Sequence, residues 1–256
     1  MIQAAYLKSL KEGFRFNRLI IWVLLALGGA GVGLMWVDYS NKGSLQDAYS
    51  QVASFMVFRL LALASVIISS TVISADVEQK TIVYLLTRPI PRWNLLLGRY
   101  LGSVTIVAFF GILFAIFTSL GVYKGEFLHN PSLWPTCLAA ILGAFAYGAL
   151  FVFFSLILNK SILVGLLFAF GWETAIPNLP GDSFWFSIYT HLGTVSRMGV
   201  KVENAPDASL IGATVNANTL TLSDSVLVLI ISTLVLVGLS LVWFSFFEYV
   251  PREDAG

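Results

Sequence analysis

Few side chains in this sequence could make or break a covalent bond. Asp182, Ser183 and His191 supply the carboxylate, hydroxyl and imidazole of a nucleophilic triad, all within the aromatic stretch LPGDSFWFSIYTHLGTVSRM. A triad is defined by the geometry that aligns nucleophile, base and orienting acid, not by inventory. An imidazole bonded to water or backbone is the plainer reading. The chain has two His and a single Cys, Cys137, which gives neither a disulfide framework nor a thiolate metal cluster. It contains no G-x-x-x-x-G-K-[ST], no H-E-x-x-H and no G-x-S-x-G, so phosphate cradling, zinc hydrolysis and the nucleophile elbow all lack their residues. No cofactor is expected on this chain. ATP and its Mg ion, if used, belong to another polypeptide.

Two further charges matter because of where they fall. Arg59 and Glu173 each interrupt an apolar run, and an ionisable group inside a membrane span is costly and normally faces a partner. Counting from the ends of their runs at 1.5 Å per residue, Arg59 lies roughly 10 Å from one surface and Glu173 roughly 18 Å from the other. In a hydrocarbon core of about 30 Å these depths nearly coincide. Either the two pair and tie their spans together, or each snorkels separately to the interface.

The elements that must position these charges are membrane helices. Of 256 residues, 57% are hydrophobic and 11% charged, against about 45–50% and about 25% in soluble domains. The net charge of +1 argues against nucleic acid. A span needs roughly 20 apolar residues, and six segments qualify: Leu19 to Val37, Val52 to Ser74, Leu95 to Val122, Leu133 to Leu158, Ser161 to Ile176 and Ser225 to Phe247. The expected fold is all-α, a single polytopic domain over 1–256. The fifth segment is cut short by Glu173 and Pro177. The first starts late and has no A-x-A-like site, so it reads as a retained helix and not a cleaved signal.

Lys and Arg accumulate on the cytoplasmic side of short loops. With the N-terminus inside, that side collects Lys8, Lys11, Arg15, Arg18, Lys80, Arg88, Arg92, Arg99, Lys160 and Arg252, while Lys42, Lys124, Arg197 and Lys201 fall opposite. Both termini are therefore expected in the cytoplasm and the chain in the cell membrane. Residues 1–18 carry Ile2, Tyr6, Leu10 and Phe14 at i, i+4 spacing, with Lys8, Lys11, Glu12, Arg15 and Arg18 on another face. That pattern suits an interfacial helix, or one packing its stripe on the rest of the protein. Small residues recur at Gly28, Gly29, Gly31 and Gly33 and at Gly98 and Gly102, allowing close helix approach. The exterior segment, 177–224, has an aromatic first half suited to the outer interface and a polar second half that reads as a loop or short hairpin.

Between the second and third spans, residues 75–94 concentrate charge and proline. The run Asp76-x-Glu78-x-x-Thr81-Ile82-x-x-Leu85-Leu86-x-Arg88-Pro89-Ile90-x-Arg92, followed by Leu95-Leu96-Leu97-Gly98-Arg99, resembles the signature loop of ABC-2-type transporter permeases. Lys80 stands where that pattern has Gly, Pro91 where it has Ser, and Arg99 where Lys is common. The layout of the chain resembles the family as well. On the residues themselves, Thr81 to Thr87 can form about two helical turns before Pro89 ends them, with Asp76 and Glu78 at the favourable end of the macrodipole.

The resemblance implies a membrane subunit that dimerises, as a homo- or heterodimer, and sits on separate ABC-type ATPase subunits. The loop would then be a cytoplasmic coupling helix contacting the ATPase through Glu78, Lys80, Thr81, Tyr84, Leu85, Leu86, Arg88, Pro89 and Arg92. The function it implies is transport, export of a hydrophobic or amphipathic cargo before import, with the chain itself not an enzyme. An integral-membrane enzyme built around His191 or Asp182, and a non-transporting anchor or assembly subunit, are the alternatives.

Overall fold

The computed structural model describes residues 2–39, 44–71, 92–158, 160–178, 182–197 and 220–246. Among them every regular element is helical. Helix α1 (Ile2–Gly13) turns into α2 (Phe16–Tyr39), then α3 (Leu45–Ser69), α4 (Arg92–Tyr123), α5 (Leu133–Ile157), α6 (Ser161–Ala175), α7 (Ile188–Val195) and α8 (Leu222–Phe246). Five of these, α2, α3, α4, α5 and α8, are long and apolar enough to cross a membrane. The fifth expected span is α6, an apolar helix of Ser161–Ala175 only, roughly 22 Å long at 1.5 Å per residue and so shorter than the hydrocarbon core.

The main boundary difference lies in α3, which begins seven residues before the expected Val52. Leu45-Gln-Asp47 reads as polar loop, yet Ser44 caps it: its Oγ accepts from the Asp47 amide at 3.1 Å and donates to Asp47 Oδ2 at 2.8 Å. A capped first turn satisfies the donors that would otherwise be orphaned. Ala48, Tyr49 and Val52 on this extension are then buried in the core.

Helix α4 is the hub. Helices α1 and α2 run along one flank of it, and the contacts ascend in step: Ile2 against Gly98, Ser9 against Gly102, Phe14 edge-on to Phe109, Trp22 beside Phe110, and Gly33 against Val122. The α1 stripe of Tyr6, Leu10 and Phe14, which suits lipid by pattern, is taken up by α4, while Lys8, Lys11, Glu12 and Arg15 face outward. Gly98 permits this: a Cβ there would stand 2.7 Å from the Ile2 carbonyl oxygen and 2.8 Å from Ala5 Cβ. Gly29 and Gly33 likewise face α4, but Gly28 and Gly31 meet nothing.

On the other flank α3 and α5 close the core around Phe58, Leu61, Phe110, Phe114, Tyr147 and Phe151. Buried aliphatic and aromatic contacts of this density supply the dispersion energy that holds membrane helices together where no hydrophobic drive separates helix from lipid. Helices α2 and α8 remain open, with 28% and 17% of their apolar windows buried. Their outer faces suit lipid or another subunit.

Candidate functional site

The structure brings the two intramembrane charges together, through a contact that neither sequence alternative describes. Helix α3 carries a π turn at Ser54–Phe58, directly before Arg59. Helix α6 carries another at Phe168–Trp172, directly before Glu173. In the second, the Glu173 amide reaches the Phe168 carbonyl, five residues back, and the Ala169 carbonyl lies inside this turn. Arg59 Nη1 donates to it at 3.0 Å, and Nη2 donates to the Glu173 backbone oxygen at 3.5 Å. The guanidinium also lies over the Tyr189 ring, 4.7 Å from its centroid. π turns interrupt a helix at functional positions more often than elsewhere, and here one helix's interruption provides the acceptor for the residue following the other's.

The Glu173 carboxylate points elsewhere. It is 1% exposed and accepts from Ser187 Oγ at 2.6 Å, the Tyr189 amide at 3.1 Å and the Ile188 amide at 3.2 Å. These are the first donors of α7, whose N-cap Ser187 in turn accepts from the Thr190 amide. An anion at a helix N-terminus satisfies orphan donors and the macrodipole together. Tyr147 on α5 also reaches the Glu173 side chain. Arg59, Tyr147, Glu173, Ser187 and Tyr189 thus join α3, α5, α6 and α7 in one polar cluster inside an apolar body. An arginine in a span costs about 2.5–3.5 kcal/mol on insertion scales. Charge-assisted hydrogen bonds of about 1.5–3 kcal/mol and a cation–π contact of up to about 2 kcal/mol can offset it.

His191 is not assembled with Ser183. Its Nε2 donates to the Trp185 carbonyl at 3.0 Å, its ring meets Trp185 edge-on, and its Nδ1 is buried without a partner among the described residues. Burial pushes this imidazole below its ordinary range, the Trp185 bond opposing. The surrounding helix α7 tucks against α5, where Gly143 leaves room for Leu192. Among the described residues no group of three or more His, Cys, Asp and Glu could hold a metal ion.

The residues expected to couple to an ATPase, Glu78, Lys80, Thr81, Tyr84, Leu85, Leu86, Arg88 and Pro89, lie outside the described residues, as does the second half of the exterior segment from 198 to 219. Arg92 is the first residue of α4. Arg99 is buried on α4. Sequence reasoning missed Tyr147, Ser187 and Tyr189. Ser187 ahead of an apolar run is an N-cap signal in hindsight, whereas nothing in a single sequence marks a π turn.

A family model described as ABC-2 family transporter protein matches residues 8–179. A protein of Pseudomonas aeruginosa named as a probable ABC transporter permease protein NosY is 29% identical over 167 residues, covering 63% of this chain and 54% of that one. One of the same name from Stutzerimonas stutzeri is 29% identical over 106 residues, 40% of this chain and 38% of the other. The chain thus spans about half the length, or less, of the curated relatives it matches.

Proposed function

The chain belongs to the ABC-2 family of transporter proteins, and from that premise we propose that it is the membrane subunit of an ATP-binding cassette exporter. Separate ATPase subunits hold ATP and Mg, and their hydrolysis cycle drives the membrane part through residues 75–94. Two permease subunits, identical or different, assemble side by side, and the open faces of α2 and α8 are the surfaces available for lipid and for a second subunit. The single observation that carries the reading is the family match over 8–179, which includes the whole charged loop with its acidic start, apolar middle and Pro89.

Topology follows from charge. Both termini lie in the cytoplasm by the distribution of Lys and Arg, and α6 serves as the fifth of six spans, a short one among five long ones. Helix α1 sits at the inner boundary of the cell membrane, its stripe on α4 and its Lys8, Lys11 and Arg15 toward head groups. On the sequence pattern, residues 81–87 ahead of Pro89 are the segment proposed to meet the ATPase, with Lys80, Tyr84 and Arg88 as the residues it would contact. The apolar walls of α2, α3 and α6 suit a hydrophobic or amphipathic cargo better than an ion.

Co-expression with a P-loop ATPase encoded beside it tests the assignment. A stable complex should purify and hydrolyse ATP, and Leu85→Asp or Arg88→Glu should abolish assembly or coupled hydrolysis while the membrane subunit still folds. Intact assembly and hydrolysis in both variants would remove the coupling role, and activity with no ATPase at all would remove the transporter reading.

A further inference from the structure

Arg59 is a cation in an apolar zone whose hydrogen-bond acceptors among the described residues are all neutral, the Glu173 carboxyl acting on it only through space. Its two hydrogen bonds among the described residues go to the backbone oxygens of Ala169 and Glu173, and its planar face rests on Tyr189. A guanidinium has five N–H donors in a fixed fork, so these contacts leave donors over. The anion that ought to take them, the Glu173 carboxylate, is engaged by Ser187 and two α7 amides, and among the described residues Arg59 forms no ion pair. Glu173 is sealed from the surface, whereas Arg59 is only partly buried. The charge therefore sits at the seam of α3 and α6, held in place by backbone and ring but not neutralised at contact distance.

What flanks that seam is apolar and exposed. Phe55 stands one turn earlier on α3, 64% exposed, and Trp172 immediately precedes Glu173 on α6, 45% exposed. Fixing a guanidinium by neutral acceptors costs less than leaving it loose and keeps its charge available. A planar fork matches a carboxylate or phosphate bidentately, and the neighbouring rings suit an acyl chain.

We propose that Arg59 binds the anionic head of an amphipathic ligand, carboxylate or phosphate, with the ligand's apolar part against Phe55 and Trp172. This deepens the exporter reading, on which it rests for taking the ligand as cargo, by naming the cargo's class. Cargo and bilayer phospholipid share this chemistry.

The test uses the full chain in zwitterionic phosphatidylcholine nanodiscs, without any ATPase, so that its failure leaves the exporter reading standing and failure of coupled hydrolysis leaves the binding site standing. Tryptophan emission is titrated with dibromostearate, at alkaline pH where the acid is ionised, and with its methyl ester. High salt screens the exposed Lys and Arg while affecting a partly buried cation less. The acid should bind roughly tenfold or more tightly than the ester, the gain expected of a charge-assisted pair. Arg59→Gln should erase that preference, Arg59→Lys should keep part of it, and Lys8→Gln with Lys11→Gln should leave it whole. Competition by phosphatidylglycerol built into the disc assigns the site to a membrane lipid, and its failure to compete assigns it to a free amphiphile; both support an anion site. No preference in the unaltered protein, a result that needs no variant to fold, would overturn the proposal. So would a preference that survives Arg59→Gln in a protein that unfolds normally.

Discussion

Replacing Glu173 with alanine removes, besides the Tyr147 contact, the acceptor for three donors at the start of α7. The Ser187 hydroxyl and the Ile188 and Tyr189 amides all end on its carboxylate, at 2.6, 3.2 and 3.1 Å, and Glu173 and Ser187 are both essentially inaccessible. A buried donor left without a partner costs about 1–3 kcal/mol. Ile188 and Tyr189 are half-buried and can recover part of that from water, so the low end applies to each and the total comes to about 3 kcal/mol. At about 2–4 °C per kcal/mol, a midpoint shift of about 6–12 °C follows. Glu173→Gln keeps one acceptor oxygen and should lose about half as much. Thermal unfolding in detergent, read by tryptophan emission, gives the shift, and amide exchange at Ile188 and Tyr189 shows whether α7 is where stability was lost. Because Arg59 reaches α6 through backbone oxygens, the Arg59→Gln, Glu173→Ala double variant should be close to additive. A shift under 1 °C with unchanged exchange, or a coupling energy above about 1 kcal/mol in the cycle, would refute this reasoning and favour a direct ion pair.

Gly98→Leu should separate α1 from α4, since even a Cβ meets the Ile2 oxygen at 2.7 Å; faster maleimide labelling of Leu10→Cys in a Cys137→Ala background would report it, and unchanged labelling would count against the packing. Burial lowers the His191 pKa and so favours its neutral form in the fold, the Trp185 bond opposing; its contribution to stability is therefore complete above the ordinary imidazole range and is lost as pH falls from that range through the lowered value. The midpoint of the unaltered protein should therefore fall faster on acidification than that of His191→Gln, and parallel pH curves would contradict this. In the same Cys-free background, Lys11→Cys and Gly125→Cys should react with a membrane-impermeant maleimide from opposite sides, and labelling from one side would overturn the topology.

Spans were legible because composition alone demands them: apolar runs of about 20 residues leave few alternatives. Their ends were legible only where the sequence changes character, as at Pro177, and not at Leu45, where a Ser44 cap turns a polar heptapeptide into helix. That Arg59 and Glu173 approach each other follows from their depths in the hydrocarbon. How they meet does not, because both contacts depend on helix irregularities that no periodicity records. The amphipathic stripe of α1 shows the same limit: its face is readable in the spacing of Ile2, Tyr6, Leu10 and Phe14, but whether lipid or α4 covers it depends on glycines almost a hundred residues away.

The central claim is that residues 75–94 form the surface on which an ABC-type ATPase acts. A photo-crosslinking amino acid placed at Leu85, and a control at Trp134 in the first turn of α5, test it in cells expressing both subunits. An ATP-sensitive adduct between the permease and the ATPase from position 85, with none from position 134, is the predicted result; no adduct at 85, or equal adducts at both, would contradict it.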